Sequence, residues 1–168
     1  KLGVKIINDV SGLNYNTETK NIIKKYKIPF VIQHSQGTPE NMQNKPRYKN
    51  ELLDIYDFFE QKINYLKKIG IKHDNIIIDP GLGFGKNLEH NLDIIRKLED
   101  FKTLGLPILI GASRKSFIGK IIDTDVMDRM EGNLAIATLA INKGASILRV
   151  HDVKEAKETI QLFEQLYP

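Results

Sequence analysis

The sequence predicts an α/β protein built on a parallel sheet, and three observations carry that prediction. Five short, β-branched apolar runs recur at residues 4–7, 30–32, 76–78, 108–110 and 147–150, their starts spaced 26, 46, 32 and 39 residues apart. Amphipathic helical patterns lie between them, and β-α-β-α alternation is the signature of parallel strands joined by helical crossovers. Each run also ends on polar residues: Asn8-Asp9, Gln33-His34-Ser35, Asp79, Gly111 leading to Ser113-Arg114-Lys115-Ser116, and Arg149 with His151. Two architectures fit, an open doubly wound sheet and a (β/α)8 barrel. Five loaded strand ends favour the barrel, in which every strand points its end into one mouth; a doubly wound sheet concentrates function at one switch point. Five units are three short of closure, so either the sheet is open or part of a barrel is missing.

The elements follow in order. After the first strand, Ile22, Ile23 and Tyr26 mark a short helix. Leu52, Tyr56, Phe59, Ile63 and Leu66 step by three and four, predicting a long helix that ends near Gly70. Leu88, Leu92, Ile95 and Leu98 mark another, Leu134, Thr138 and Ile141 an alanine-rich one, and Val153, Ala156, Ile160 and Phe163 the last. There is no internal repeat and no linker, which predicts one domain over 1–168.

Composition narrows the function. The 168 residues are 41% hydrophobic and 27% charged, with a net charge of +4, ordinary values for a globular chain. Lysines are spread over helix-like segments rather than clustered, which argues against a nucleic-acid footprint and fits an anionic small substrate. With no cysteine, disulfides, thiolate metal sites and Cys nucleophiles are excluded, and a reducing, cytoplasmic location is expected. No apolar run approaches the roughly 20 residues of a membrane-spanning helix. The first residues, Lys1-Leu2-Gly3, have neither an initiator Met nor a signal pattern, so upstream sequence is expected.

The stretch IIIDPGLGFGKN at 76–87 is the strongest candidate site. A carboxylate at the end of a buried strand is costly unless paired. Asp79 there can accept two parallel N–H donors from a planar ligand. Gly81, Gly83 and Gly85 fit neither a phosphate-binding P-loop, since Pro80 and Asn87 stand at its Gly and Ser/Thr positions, nor a dinucleotide fingerprint in either frame. In PILIGASRKSFIGK, 107–120, Gly111 lets a ligand lie close to the backbone. Lys115 and Arg114 offer cationic donors, Ser113 and Ser116 hydroxyls, and Ser116-Phe117 begins a helical turn whose free N–H groups suit an anion. Arg149 and His151, two apart, share a strand face and both donate to an oxyanion; the competing reading pairs Arg149 with Asp152 or Glu155. Asp9 reads as a local cap. His34 points outward if Gln33 or Ser35 points in. His73 and His90 read as surface residues, and no His spacing suits a protein-only transition-metal site.

INDVSG (7–12), the Gly-Thr-Pro-x-x-Met-Gln run at 37–43, DPGLGFGKN (79–87), GASRKSFIG (111–119) and RVHDVKE (149–155) occur in this order in dihydropteroate synthases, and the chain resembles that family over nearly its whole length. The resemblance implies a (β/α)8 TIM barrel of which 1–168 would be a partial pterin-binding domain beginning at the fourth strand. It implies a transferase of folate biosynthesis that joins 6-hydroxymethyl-7,8-dihydropterin pyrophosphate to p-aminobenzoate, releasing pyrophosphate, with sulfonamides mimicking the second substrate. It also implies Mg2+, with its main ligand, an asparagine, in the upstream units and no metal ligand here. Two mobile catalytic loops and a further pterin-binding aspartate would also lie upstream. A homodimer is expected, and so is fusion to the preceding pathway kinase in a longer chain, as in some relatives.

Carried over residue by residue, Asn8, Asp79, Gly111 and Lys115 would bind the pterin. Arg149 and His151 would hold the pyrophosphate, with Lys115, Arg149 and His151 as the catalytic set. Phe84 and Ser116 would receive p-aminobenzoate. A buried Asp79–Lys115 pair is expected. QHSQG at 33–37 departs from the family's usual Met-His-Met-Arg-Gly, so Ser35 stands where a methionine often packs on the pterin. The alternatives are a pterin-binding methyltransferase barrel, a non-catalytic pterin-binding or assembly module, and a nucleic-acid-binding barrel.

Overall fold

The runs of β-branched residues pair edge to edge. In the computed structural model, which describes residues 3–13, 17–37, 42 and 46–167, the strands are β1 (Ile7–Asp9), β2 (Phe30–Gln33), β3 (Ile76–Asp79), β4 (Ile108–Ile110) and β5 (Ala145–Leu148). All are parallel, and their order across the sheet is their order along the chain. No strand order reverses, so there is no switch point; this is an arc of a (β/α)8 barrel and not a doubly wound sheet.

Helices fill the connections: α1 (Thr17–Tyr26), α2 (Glu51–Lys68), α3 (Leu88–Arg96), α4 (Ser116–Ile122), α5 (Met130–Asn142) and α6 (Val153–Leu166). The long α2 starts where Asn50 accepts from the Leu53 N–H at 3.1 Å. It carries Glu51 and Asp54 in its first turn and Lys67 and Lys68 in its last, matching the helix dipole. Its stripe of Ile55, Phe59, Ile63 and Leu66 is buried. In α3, Asn87 and His90 cap the first turn reciprocally.

Strand alternation divides the side chains into two sets. Phe30, Ile32, Ile76, Ile78, Ile108 and Ile110 pack in the main core with the helical residues Ile55, Phe59, Leu66, Ile94 and Phe117. Val31, Ile77 and Leu109 form a separate cluster on the opposite face, with Ile147 against it. Two residues further along those same strands stand Gln33, Asp79, Gly111 and Arg149. The apolar cluster is therefore the floor of the mouth, and the next inward layer is polar.

Two boundaries differ from expectation. The first strand begins at Ile7 instead of residue 4, and Val4 and Ile6 are exposed. The last spans Ala145–Leu148, two residues earlier than 147–150, so Arg149 and His151 follow the strand. Leu98 is buried but sits in a 3₁₀ segment, Leu98–Leu104, after α3 has ended.

Candidate active site

The strand tips open on a cleft of about 350 Å³ lined by Asn8, Phe84, Gly111, Ser113, Lys115, Arg149 and His151, with Val10 and Val150. Six of the eight expected site residues line it. Asp79 lies just beneath, 1% exposed, and touches the cleft through Arg149. Ser116 is the first residue of α4, exposed beside the cleft and outside its lining.

Asp79 is held from three sides. One carboxylate oxygen accepts from the Gly81 N–H at 2.8 Å, the other lies 3.2 Å from Arg149 Nη2, and its carbonyl accepts from the His34 N–H at 2.9 Å. Burial pushes its pKa up, against the opposing pull of Arg149, the Gly81 N–H, Lys86 and Lys115. The cation in contact is thus Arg149, where the sequence led us to expect Lys115. Lys115 instead stacks its ammonium 4.0 Å from the Phe84 ring centroid. Burial and the charge of Arg149 both lower the Lys115 pKa.

Arg149 spreads its fork over three acceptors: Asn8 Oδ1 at 3.0 Å, Gln33 Oε1 at 3.5 Å and Asp79. It lies flat on Gly111, where a Cβ would stand 2.5 Å from Nη2. The absence of a side chain at 111 is what admits the guanidinium. The competing ion pair of Arg149 with Asp152 is not formed, because Arg114 takes Asp152 at 2.7 Å. His151 is exposed at the rim, its Nδ1 3.0 Å from Ser113 Oγ. Arg149 sits directly on the buried Asp79, and with Lys115 and His151 it gives the cleft a cationic lining over an acidic base.

Residues that the sequence did not single out brace these groups. The glycine loop after β3 is pinned by Tyr48 Oη on the Gly85 carbonyl at 2.8 Å and by the Gly83 N–H on Asn91 Oδ1 at 2.7 Å. Lys86 is 3% exposed; its ammonium binds the Phe84 carbonyl and His34 Nδ1, each at 3.0 Å. Burial lowers the Lys86 pKa to about 7, Asp79 opposing, and lowers that of His34 to about 2, with the charge of Lys86 second. His34 faces the helices, edge-on to Phe58, so the inward residue is Gln33; Ser35 is half-buried and outside the cleft lining. Asp9 caps its own loop through the Ser11 and Leu13 N–H groups. Arg114 has a φ of 59°; Asn133 Oδ1 accepts from its N–H at 2.9 Å and Arg129 donates to its carbonyl at 3.0 Å. These bonds, from α5 and the residue that precedes it, hold the Ser113–Ser116 turn. Most of the 37–43 run lies outside the described residues.

Among the described residues no group of three His, Asp or Glu side chains comes together to hold a metal. The groups at the anion end are cationic or neutral, so these residues do not by themselves fit Mg2+. Among the described residues no helix is long and apolar enough to cross a membrane.

A barrel arc whose mouth sets a buried carboxylate beneath a cationic lining is the form of a small-ligand-binding barrel. Residues 1–151 match the family described as pterin binding enzyme, and the chain belongs to that family. It is 37% identical over 164 residues to the dihydropteroate synthase of Escherichia coli, covering 98% of this chain and 58% of that protein. The dihydropteroate synthase of Yersinia pestis, solved in complex with a sulfonamide drug, superposes with a TM-score of 0.94 at 37% identity over 98% of this chain and 60% of that one. The Thermus thermophilus enzyme in complex with 6HMPPP gives 0.92 at 33% identity, over 99% and 66%. The chain thus spans about three fifths of the length of the first of these relatives.

Proposed function

We propose that this chain supplies the last five βα units of a dihydropteroate synthase, which condenses 6-hydroxymethyl-7,8-dihydropterin pyrophosphate with p-aminobenzoate. The observation that carries the reading is the convergence of Asn8, Lys115, Arg149 and His151 on one cleft above the buried Asp79. Similarity to enzymes of that name supports it. Asp79 accepts from the amino and ring N–H donors of the pterin, Asn8 pairs beside it, Gly111 gives the ring room, and Lys115 donates to the ring acceptors. Phe84, fixed by the Lys86 bond to its carbonyl, walls the p-aminobenzoate site, and Ser116 at the rim meets that substrate's carboxylate.

The chemistry follows from charge. Arg149 and His151 bind the pyrophosphate and stabilise the negative charge that grows as the C–O bond breaks. The electron-rich pterin carries the methylene cation that remains; the neutral aryl amine attacks it and then loses a proton. No side-chain nucleophile takes part, and positioning with electrostatics does the catalysis. Mg2+ bound by upstream residues, a homodimer and a cytoplasmic location belong to the same proposal. A methyltransferase barrel needs no anion clamp, and the paired Arg149 and His151 disfavour it.

The test is pyrophosphate release by the full-length chain. Release that requires both substrates supports the synthase, and release without p-aminobenzoate, or none, contradicts it. Lys115→Ala is expected to lose pterin-pyrophosphate binding with the fold retained; unchanged affinity counts against Lys115 as a pterin ligand.

A further inference from the structure

Gln33 is the last residue of β2 and the register partner of Asp79. It is wholly buried, stands two residues beyond Val31 of the inner apolar cluster, and so points into the polar layer under the mouth. Its Oε1 lies 3.5 Å from Arg149, while its amide nitrogen has no hydrogen-bond partner among the described residues. Asp79 Oδ2, which faces Arg149, is also without a hydrogen bond. A buried amide donor left unpaired weakens a fold, and an aliphatic residue would fill this strand end without that penalty. Thr124 Oγ1 and Asn133 Nδ2 are likewise buried without a partner, but only at this spot do an unpaired donor and a carboxylate oxygen, the latter held just by its ion pair with Arg149, sit on paired strands under one guanidinium among the described residues. An anion at the mouth competes for that guanidinium, and turning Arg149 toward it uncovers both groups together.

Building on the proposed function, we infer that Gln33 is a further recognition residue for the pterin substrate, its amide donating to a ring acceptor while Asp79 accepts from the neighbouring N–H groups. Side by side, the carboxylate and the amide read a planar heterocycle that presents donors flanked by an acceptor. A ligand lacking the acceptor leaves the amide buried and unpaired, so Gln33 contributes selectivity as well as affinity.

The experiment is calorimetric titration of the full-length chain with pterin pyrophosphate, for the native protein, Gln33→Met and Gln33→Glu. Met keeps the length and removes the polar head; Glu keeps the shape and removes the donor. Loss of one hydrogen bond to the ligand predicts about tenfold weaker binding for Gln33→Met. The melting temperature is expected not to fall and the KM for p-aminobenzoate not to move. Gln33→Glu is expected to bind at least as weakly. Native affinity in both variants, or parallel loss of both substrates with a lowered melting temperature, overturns the assignment while leaving the proposed function standing. Failure of the native chain to bind pterin pyrophosphate overturns both.

Discussion

Gly81→Ala probes the joint on which the site is built. Gly81 has a φ of +71°, and a Cβ there would overlap the His34 carbonyl oxygen. The left-handed conformation alone penalises an L side chain by about 1 kcal/mol. The overlap is with backbone at the tip of β2, not with a flexible side chain, so the tips of β2 and β3 must part. That disrupts the His34 N–H to Asp79 carbonyl bond of 2.9 Å and the Gly81 N–H to carboxylate bond of 2.8 Å. Typical hydrogen bonds contribute roughly 1 kcal/mol each and those to charged groups roughly 1.5–3. The expected loss is therefore about 4 kcal/mol, with the Asp79 carboxylate displaced. Gly3→Ala is the control: its φ is +70°, and among the described residues no atom lies within 4 Å of the added Cβ. Urea unfolding of the full-length chain reads both variants. A Gly81→Ala penalty no larger than that of Gly3→Ala refutes the account of this joint.

Two further outcomes are expected. His34 is buried neutral with a pKa of about 2 against 6.5 when unfolded, so its contribution is complete above pH 6.5 and is lost as pH falls toward 2. Unfolding measured between pH 6.5 and 4.5 should weaken with a slope from this residue that grows from about 0.7 to about 1.4 kcal/mol per unit, and His34→Gln should flatten that slope; an unchanged slope contradicts the assignment. In Gly111→Ala the three atoms nearest the added Cβ all belong to the Arg149 guanidinium, the far end of a flexible side chain, so stability should shift by less than about 1 kcal/mol. Pterin-pyrophosphate affinity should fall about tenfold, as for one lost hydrogen bond; a collapsed melting curve would show the contact to be rigid instead.

The strand centres were legible because Ile, Val and Phe in short runs have few other places to go. Their ends were less so. Val4 and Ile6 belong to the first apolar run, yet among the described residues β1 pairs with β2 alone and its register starts at Phe30 opposite Ile7, with both side chains exposed. The short α4 reads poorly because Gly119 interrupts SFIGKII; the gap is filled by Arg129, whose guanidinium packs where a Cβ would be. Polar strand ends exposed most of the cleft in advance. What the sequence hid was pairing. Lys86 sits in a glycine-rich turn with nothing to mark it as buried, and its partner His34 is 52 positions away. Arg114 and Arg149 each had an acidic candidate nearby; only the fold assigns Asp152 to one and Asp79 to the other. Asn133 and Arg129 act through the Arg114 backbone, a role no side-chain motif announces.

The proposed function requires Asp79 to be the acceptor for a pterin under a mouth whose cations would hold the leaving group. Pterin-pyrophosphate affinity of the full-length Asp79→Asn variant tests this most directly. Two charge-assisted bonds of roughly 1.5–3 kcal/mol each, partly replaced by the amide, predict binding weaker by about 100-fold. The melting temperature should not fall, because a carboxylate 1% exposed is relieved of its burial penalty and Arg149, 37% exposed, can turn to solvent. Undiminished affinity in that variant would contradict the central claim.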